Sequence, residues 1–536
     1  MSTLGASATE VLIIGAGLAG AVAARRLAEA GIAVTCLEQG GRVGPADYRG
    51  ASPDWELAGL GPWHPSPRVR GSADDYPIDD ADAEMKPMMF GAVGGSTILY
   101  GAQWNRFLPH DFATRTTDGV GDDWPIGYDD LAPYYRRVER DLGVSGLAGD
   151  PAYPDRPAYP MPPLPLGAAG ERVAAAHRRL GWHCWTGANA IASRPYGALA
   201  ACAQLGTCGV GCVVGAKASV DLTHWPIAER LGARVLTGAR ASRITLDAAG
   251  RADGAVYRDA EGREHRVRAQ LVMLAANAIG TPRLLLASAC GRHSRGLANG
   301  SGLVGRRLML HPFSRAVGLF DAPLASSRGH WGQSIYSLEF SATRPGTGFV
   351  RGAKWNLGAS GGPLTAALFP WPGERLWGEA VHDHVDAWVD RSAVWGIICD
   401  DLPEAANRVE LAPGSGVEPV ARVVYRVSEN SRAMLAYNIA RAKESLEEAG
   451  AYRTLSVPLM PEFGWHPLGT CRMGDDPEDS VVDRFGASHE VENLHVIDGS
   501  LFVTGSCVNP AATIAALALR AADRVAAERR SVHHAT

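Results

Sequence analysis

No stretch of the 536 residues reaches the roughly 18–20 apolar residues that a membrane-spanning helix needs. No block of Lys or Arg stands out, and the net charge is −5, so nothing in the charge balance attracts nucleic acid or an anionic membrane. The opening MSTLGASATE has no basic region followed by an apolar core. A signal peptide is therefore not expected, and a cytoplasmic location is. Repeats of solenoid period are lacking, as is any segment of low complexity. The nine cysteines are unevenly spaced, which fits mostly free thiols better than a disulfide framework. What is present is ordinary for a globular protein, 46% hydrophobic and 20% charged. The length is too great for one ordinary core and suits two interleaved domains or a large α/β body with a cap.

The chain begins with a local pattern of high information. Val11-Leu12-Ile13-Ile14 is a short apolar run fit for a buried parallel strand. Gly15-Ala16-Gly17-Leu18-Ala19-Gly20 follows, then a helix predicted over Ala21–Gly31 and a second strand over Ile32–Leu37, closed by Glu38. This is a βαβ unit with the GxGxxG fingerprint of a dinucleotide site. Gly15 allows the tight turn, Gly17 the approach of the pyrophosphate, and Gly20 close helix packing. The helix amino terminus offers N–H groups and a positive dipole end. The carboxylate of Glu38 suits the two adenosine ribose hydroxyls and disfavours a 2′-phosphate. The unit itself leaves FAD and NAD open.

Residues 41–85 and the proline-rich 149–168 read as surface excursions. Arg234–Leu236 and Ala241–Leu246 resemble paired strands, and Leu271–Leu274 is a further buried strand. Thr281–Ser288 reads as a short helix with Pro282 near its start. Alternating segments such as Arg422–Val427 place an antiparallel sheet in residues 316–426. Helices are predicted over Ser431–Ala449 and Ala511–Ala527.

Four further segments resemble the glucose–methanol–choline (GMC) family of FAD oxidoreductases. They are Gly91–Ala102 with Gly94-Gly95-Ser96-Thr97, Ala276–Leu286, Trp465-His466-Pro467-Leu468-Gly469-Thr470-Cys471-Arg472-Met473-Gly474, and Asn493–Ser500 leading to Asn509-Pro510-Ala511-Ala512-Thr513. They occur in the family's order across nearly the whole chain. Trp104–Phe112 and Asp123–Tyr135 place the resemblance nearest the bacterial sugar and gluconate dehydrogenase branch. The chain departs from many members at Tyr100, where Asn or His is common. The resemblance implies an α/β fold: a discontinuous Rossmann-like FAD domain with an inserted substrate domain on an antiparallel sheet. The expected boundaries are 1–150, 196–315 and 461–536 for the FAD-binding parts, 151–195 for a connector, and 316–460 for the substrate domain. It implies FAD as cofactor, with Gly15, Gly17, Gly20, Glu38, Gly94, Gly95, Ser96, Thr97, Ala241, Ala276, Asp498, Gly499, Asn509, Pro510 and Thr513 as its binding residues. No His lies between Gly91 and Gln103, so covalent attachment there is not expected.

The implied reaction is oxidation of an alcohol hydroxyl in a sugar, polyol, glycoside or similar polar molecule. The hydride passes to flavin N5 and on to oxygen or another acceptor. By the resemblance His466 is the base, with an ordinary pKa near 6.5 that suits the task. Asn509 holds the alcohol oxygen and developing alkoxide. His311 reads as structural, with the cavity wall as its other place. His224, Trp225, Trp331 and Trp371 suit an aromatic sugar platform, but core packing explains them as well. Cys202, Cys208 and Cys212 have a spacing that some relatives use for an iron–sulfur cluster; free thiols are the favoured reading, and no other metal site is expected. A flavin-containing hydroxynitrile lyase and an electron-transfer dehydrogenase subunit carrying that cluster are the alternatives.

Overall fold

The structure, a computed structural model, describes residues 7–72, 75–368, 375–414 and 418–535. Its centre is a seven-stranded sheet. Ser7–Ile14 pairs in parallel with Val34–Leu37 on one side and with Glu264–Leu274 on the other. Arg234–Leu236 extends the parallel edge beyond Val34–Leu37. The long strand Glu264–Leu274 takes antiparallel Ala252–Arg258 along its first half and parallel Leu494–Val496 along its last three residues. Segments from the beginning, middle and end of the chain thus meet at the carboxyl ends of adjacent parallel strands, where open α/β sheets bind ligands.

The helix Leu18–Glu29 starts directly at Gly17. It packs its buried Ala21, Val22, Ala24 and Leu27 within the same core as the last helix, Ala511–Ala535. A second sheet of six antiparallel strands stands across the cavity, in the order 453–457, 313–319, 392–399, 353–357, 335–337 and 185–186. Its outer face is covered by Glu429–Glu448, which buries Met434, Leu435 and Leu446 against Trp355 and Trp395. A three-stranded sheet joins Arg408–Leu411, Ala421–Val424 and Ile78–Asp79.

Several expectations need correction. Arg234–Leu236 and Arg240–Leu246 do not pair with each other; the first joins Val34–Leu37 and the second Ala252–Arg258. The Arg422 segment belongs to the three-stranded sheet and not to the large antiparallel one. The large sheet reaches outside 316–426, to Trp185 and Val457. Residues 41–85 run mostly over the surface but are pinned at points: Tyr48, Ser66, Tyr76 and Met85 are buried, and the Glu56 carboxylate accepts from the N–H groups of Gly362, Leu364 and Thr365 at the start of the helix Pro363–Leu368. The predicted Thr281–Ser288 helix begins earlier, at Asn277, and Pro282 lies inside it. Asn277 adopts φ +64 and its Oδ1 accepts from the N–H groups of Ile279 and Gly280. The carbonyl of Ala278, which the missing N–H of Pro282 leaves free, accepts instead from the Thr470 hydroxyl at 3.0 Å.

One buried cation ties the two large sheets' surroundings together. Arg351, 2% exposed, contacts Asp111, Asp118 at 3.0 Å and Asp400 at 2.6 Å. Asp400 directly follows the strand Ser392–Cys399, whereas Asp111 lies in the helical turn Pro109–Ala113 and Asp118 ends the short helix Thr114–Asp118. Removing the guanidinium strands three buried carboxylates. Arg351→Leu is therefore expected to lower stability by about 3–5 kcal/mol, read as a fall in the thermal or denaturant midpoint.

Candidate active site

A cavity of about 440 Å³ lies between the glycine-rich turn and the six-stranded sheet. It brings together Gly15, Gly17, Glu38, Gly95, Ser96, Thr97, Ala241, Ala276, His466, Asp498, Gly499, Asn509 and Pro510. Gly20, Gly94 and Thr513 are not in its lining. A Cβ on Gly20 would lie 2.0 Å from the Gly15 carbonyl oxygen, so this glycine lets the helix sit on the turn. Gly94 turns the chain with φ +112, and the Thr513 hydroxyl shares a hydrogen bond with the Tyr135 hydroxyl at 2.8 Å.

At one end two backbones approach closely. Gly95 has φ +55, and a Cβ there would lie 2.8 Å from the Gly17 Cα. The Ala16 carbonyl holds this contact by accepting from Gly94 N–H at 3.0 Å and from the indole N–H of Trp225 at 2.8 Å. Trp225 is thus a buried support for the turn and not a sugar platform. Glu38 accepts from Ala16 N–H and Gly40 N–H, each at 2.9 Å, which leaves lone pairs on both oxygens for ribose hydroxyls. Burial pushes its carboxyl up to about 7, against the pull of those N–H groups. Three helices, Leu18–Glu29, Asn277–Ala287 and Ala511–Ala535, turn their amino ends to the cavity, where Leu18, Asn277 and Ala511 line it. Open space at Gly17, a ribose-type acceptor and three positive helix ends fit a dinucleotide carrying a pyrophosphate.

Asp498 meets that end through its neighbours. Its Oδ1 accepts from the Ser500 N–H and hydroxyl, and its Oδ2 from the Thr281 hydroxyl. These bonds hold Gly499 against the cavity.

The other end carries the titratable groups. His466 Nδ1 lies 3.1 Å from His311 Nδ1, and His466 Nε2 lies 3.3 Å from Asn509 Nδ2. His311 is buried with φ +55, and burial lowers its pKa to about 3. His466 is held well below the ordinary histidine value, first by burial, then by His311 and Lys354. Lys354 is wholly buried and donates to Gln103 Oε1 at 2.7 Å, Asn105 Oδ1 at 3.1 Å and Asn509 Oδ1 at 2.6 Å. The sheet presents Phe313, Arg315, Asn356, Val394, Gly396 and Ile398 to the cavity.

Sequence reasoning overlooked Lys354 and undervalued His311. A signal was available for the first. In Ala353-Lys354-Trp355-Asn356-Leu357 the polar residues alternate with large apolar ones, which places Lys354 and Asn356 on one face of a strand whose other face is core. Of the other aromatic candidates, Trp331 lines the cavity. His224 is buried beside Thr223, with its pKa lowered to about 3 by burial. Trp371 lies outside the described residues.

Cys202, Cys208 and Cys212 are free thiols. Cys212 Sγ accepts from the N–H groups of Ala216 and Lys217. Burial pushes the Cys202 thiol up to about 11 and raises Cys208 as well. Among the described residues no three His, Cys, Asp or Glu side chains are grouped to hold a metal ion. No helix among the described residues is long and apolar enough to cross a membrane.

Residues 175–313 and 403–518 match the GMC oxidoreductase family, and residues 13–70 match an NAD(P)-binding Rossmann-like domain. The chain is 39% identical to 2-methyl-1,2-propanediol dehydrogenase of Mycolicibacterium austroafricanum, over 98% of this chain and 96% of that protein. It is 30% identical to the fructose dehydrogenase large subunit of Gluconobacter japonicus, over 96% and 97%. A solved structure of Aspergillus oryzae formate oxidase, one that addresses FAD modification, is similar in fold, with a TM-score of 0.64 at 16% identity over 99% of this chain and 100% of that one.

The raised pKa of Glu38 gives a pH test. Its folded value near 7 lies above the ordinary value of about 4.3, so between the two the folded chain binds the extra proton. Its contribution is full below the ordinary value and is lost as pH rises through 7. Glu38→Gln should remove up to roughly 3 kcal/mol of this pH-dependent loss between pH 5 and 8, measured as thermal midpoints of the dinucleotide-free protein.

Proposed function

The chain belongs to the GMC oxidoreductase family, and from that premise we propose that His466 takes the hydroxyl proton of an alcohol while a hydride leaves the adjoining carbon. The protein is an FAD-dependent oxidoreductase acting on CH–OH groups. The observation that carries the mechanistic reading is the direction of the bonds around His466. Asn509 Nδ2 can only donate, so His466 Nε2 accepts, with the one lone pair that a substrate hydroxyl would take over from the amide. The ring proton then sits on Nδ1 and is donated to His311 Nδ1. His466 is thereby held as a neutral base with its acceptor nitrogen inward.

Bound FAD would supply the hydride acceptor, at its N5. The turn at Gly15, Gly17 and Gly20 and the loop Gly94-Gly95-Ser96-Thr97 would hold its pyrophosphate, and Glu38 its ribose. Ala241, Ala276, Asp498, Gly499, Asn509, Pro510 and Thr513 complete the proposed set, Thr513 through its bond to Tyr135. Attachment is non-covalent in this reading. Residues 1–150, 196–315 and 461–536 form the flavin-binding part, 151–195 the connector and 316–460 the substrate part. The strands of the seven-stranded sheet come from the first three ranges, which supports that division. The alcohol is oriented by Asn509, whose N–H meets the oxygen as its proton leaves. The substrate is a small polar alcohol such as a polyol or sugar, in keeping with the diol and fructose dehydrogenases that the chain resembles, and the electrons pass on to oxygen or another acceptor. The free thiols support a reducing, cytoplasmic setting.

His466→Ala should keep its flavin bands and lose hydride transfer by about 10²–10⁴-fold, read as the rate of anaerobic flavin bleaching by an alcohol substrate. A variant bleaching at the wild-type rate would overturn the role of His466. Because burial holds its pKa down, the neutral base persists in acid. The bleaching rate should therefore stay level as pH falls from 8 through about 6.5 and drop only below the ordinary histidine value. A midpoint at or above that value would contradict the assignment.

A further inference from the structure

We propose that Lys354 is a positioning residue for this reaction: it holds the Asn509 amide with its N–H toward His466 and sets a fixed positive charge behind the reacting oxygen. The proposal rests on His466 being the base. Lys354 lies in the strand Ala353–Leu357, opposite Ile398. Ala353, Trp355 and Leu357 pack into the core beneath Glu429–Glu448. Lys354 points the other way and ends among the amide oxygens of Gln103, Asn105 and Asn509. None of the three acceptors is a carboxylate.

An ammonium has three N–H donors and no lone pair. Three acceptors use all of them, whereas a neutral amine would turn its lone pair on one oxygen. Burial pushes the Lys354 pKa down; the three acceptors oppose that by binding the third proton. A group that only donates also decides which way an amide faces. Asn509 has to offer Oδ1 to Lys354, and Nδ2 is left for His466. The reversed amide has the same shape. It would set an oxygen against His466 Nε2, and the ring would answer by moving its proton onto that nitrogen and ceasing to be a base. Orientation is passed from Lys354 through Asn509 to His466 and then to His311.

The anchor itself is braced. Asn105 Oδ1 also accepts from Gln333 Nε2 at 2.6 Å. The charge has a second effect. It opposes a proton on His466 and favours an alkoxide beside Asn509. The other groups around His466 are His311 on the preceding segment, Asp400 and Asp401 behind Gly505 and Leu310, Arg351 bonded to Asp400, Arg315 further along the strand from Phe313, and Cys507 beside Lys354. All of these stay in place when Lys354 alone is changed.

The test uses holoenzyme. Lys354→Met should slow anaerobic flavin bleaching by about 10²-fold with KM changed by less than roughly three-fold, and should move the acid limb of the rate profile to higher pH. A readout without turnover is acylation of His466 by diethyl pyrocarbonate, followed by peptide mass spectrometry, because only neutral imidazole reacts. Its midpoint should lie at higher pH in Lys354→Met than in wild type. In an Asn509→Ala background the same substitution should cost several-fold less, since the residue through which it acts is gone. Lys354→Gln separates the two effects: its amide N–H can still meet Asn509, so bleaching should be faster than in Lys354→Met while the limb stays shifted. Wild-type bleaching with an unmoved His466 midpoint in folded Lys354→Met or Lys354→Gln would overturn the proposal, as would an undiminished loss in the Asn509→Ala background. Failure of the base assignment is distinct, since His466→Ala would then keep its activity.

Discussion

Three helices end at one cavity with their amino termini inward. Each such end carries about half a positive charge and N–H groups without partners in the helix. A negatively charged ligand resolves the cost, and much of the fold serves to let it approach. Gly17 and Gly95 bring two backbones together where a single Cβ would intrude. Gly20 lets the first helix rest on the turn, and Trp225 and Gly94 pin the Ala16 carbonyl from two sides. The pieces come from residues far apart in the chain because three neighbouring parallel strands, Ser7–Ile14, Glu264–Leu274 and Leu494–Val496, have to deliver them to one edge.

The reacting end follows a different logic. There the fold controls the direction of a few hydrogen bonds around one imidazole. His311 receives and Asn509 donates, so that the one acceptor nitrogen of His466 faces Asn509. Among the described residues no carboxylate bonds to the ring, unlike the Asp–His pairs of hydrolases. A base without a carboxylate partner stays weakly basic, which suits a site where the proton is removed from an oxygen already held by a donor.

The legible parts of this protein were those encoded by neighbours in sequence. The glycine turn and Glu38 could be read because a strand, a turn and a helix explain one another within about thirty residues. The family resemblance points to His466 and Asn509 as a pair, and the fold brings them to 3.3 Å. What escaped depends on distant partners. Arg234–Leu236 and Arg240–Leu246 look like a hairpin, but each has its strand partner elsewhere. Pro282 marks a helix start until Thr470 takes the carbonyl it leaves open. Lys354 is one polar residue on an ordinary strand until Gln103, Asn105 and Asn509 close around it from three other parts of the chain.

Flavin binding and alcohol oxidation in this cavity can be tested together. The most direct measurement is the visible spectrum of the purified protein, taken anaerobically before and after addition of polyols and sugars. Flavin bands should be present and should bleach with an alcohol of this class, with recovery in air marking oxygen as the acceptor and persistence of the bleached state marking another. Well-folded protein without flavin bands, or flavin that no alcohol bleaches, would contradict this function.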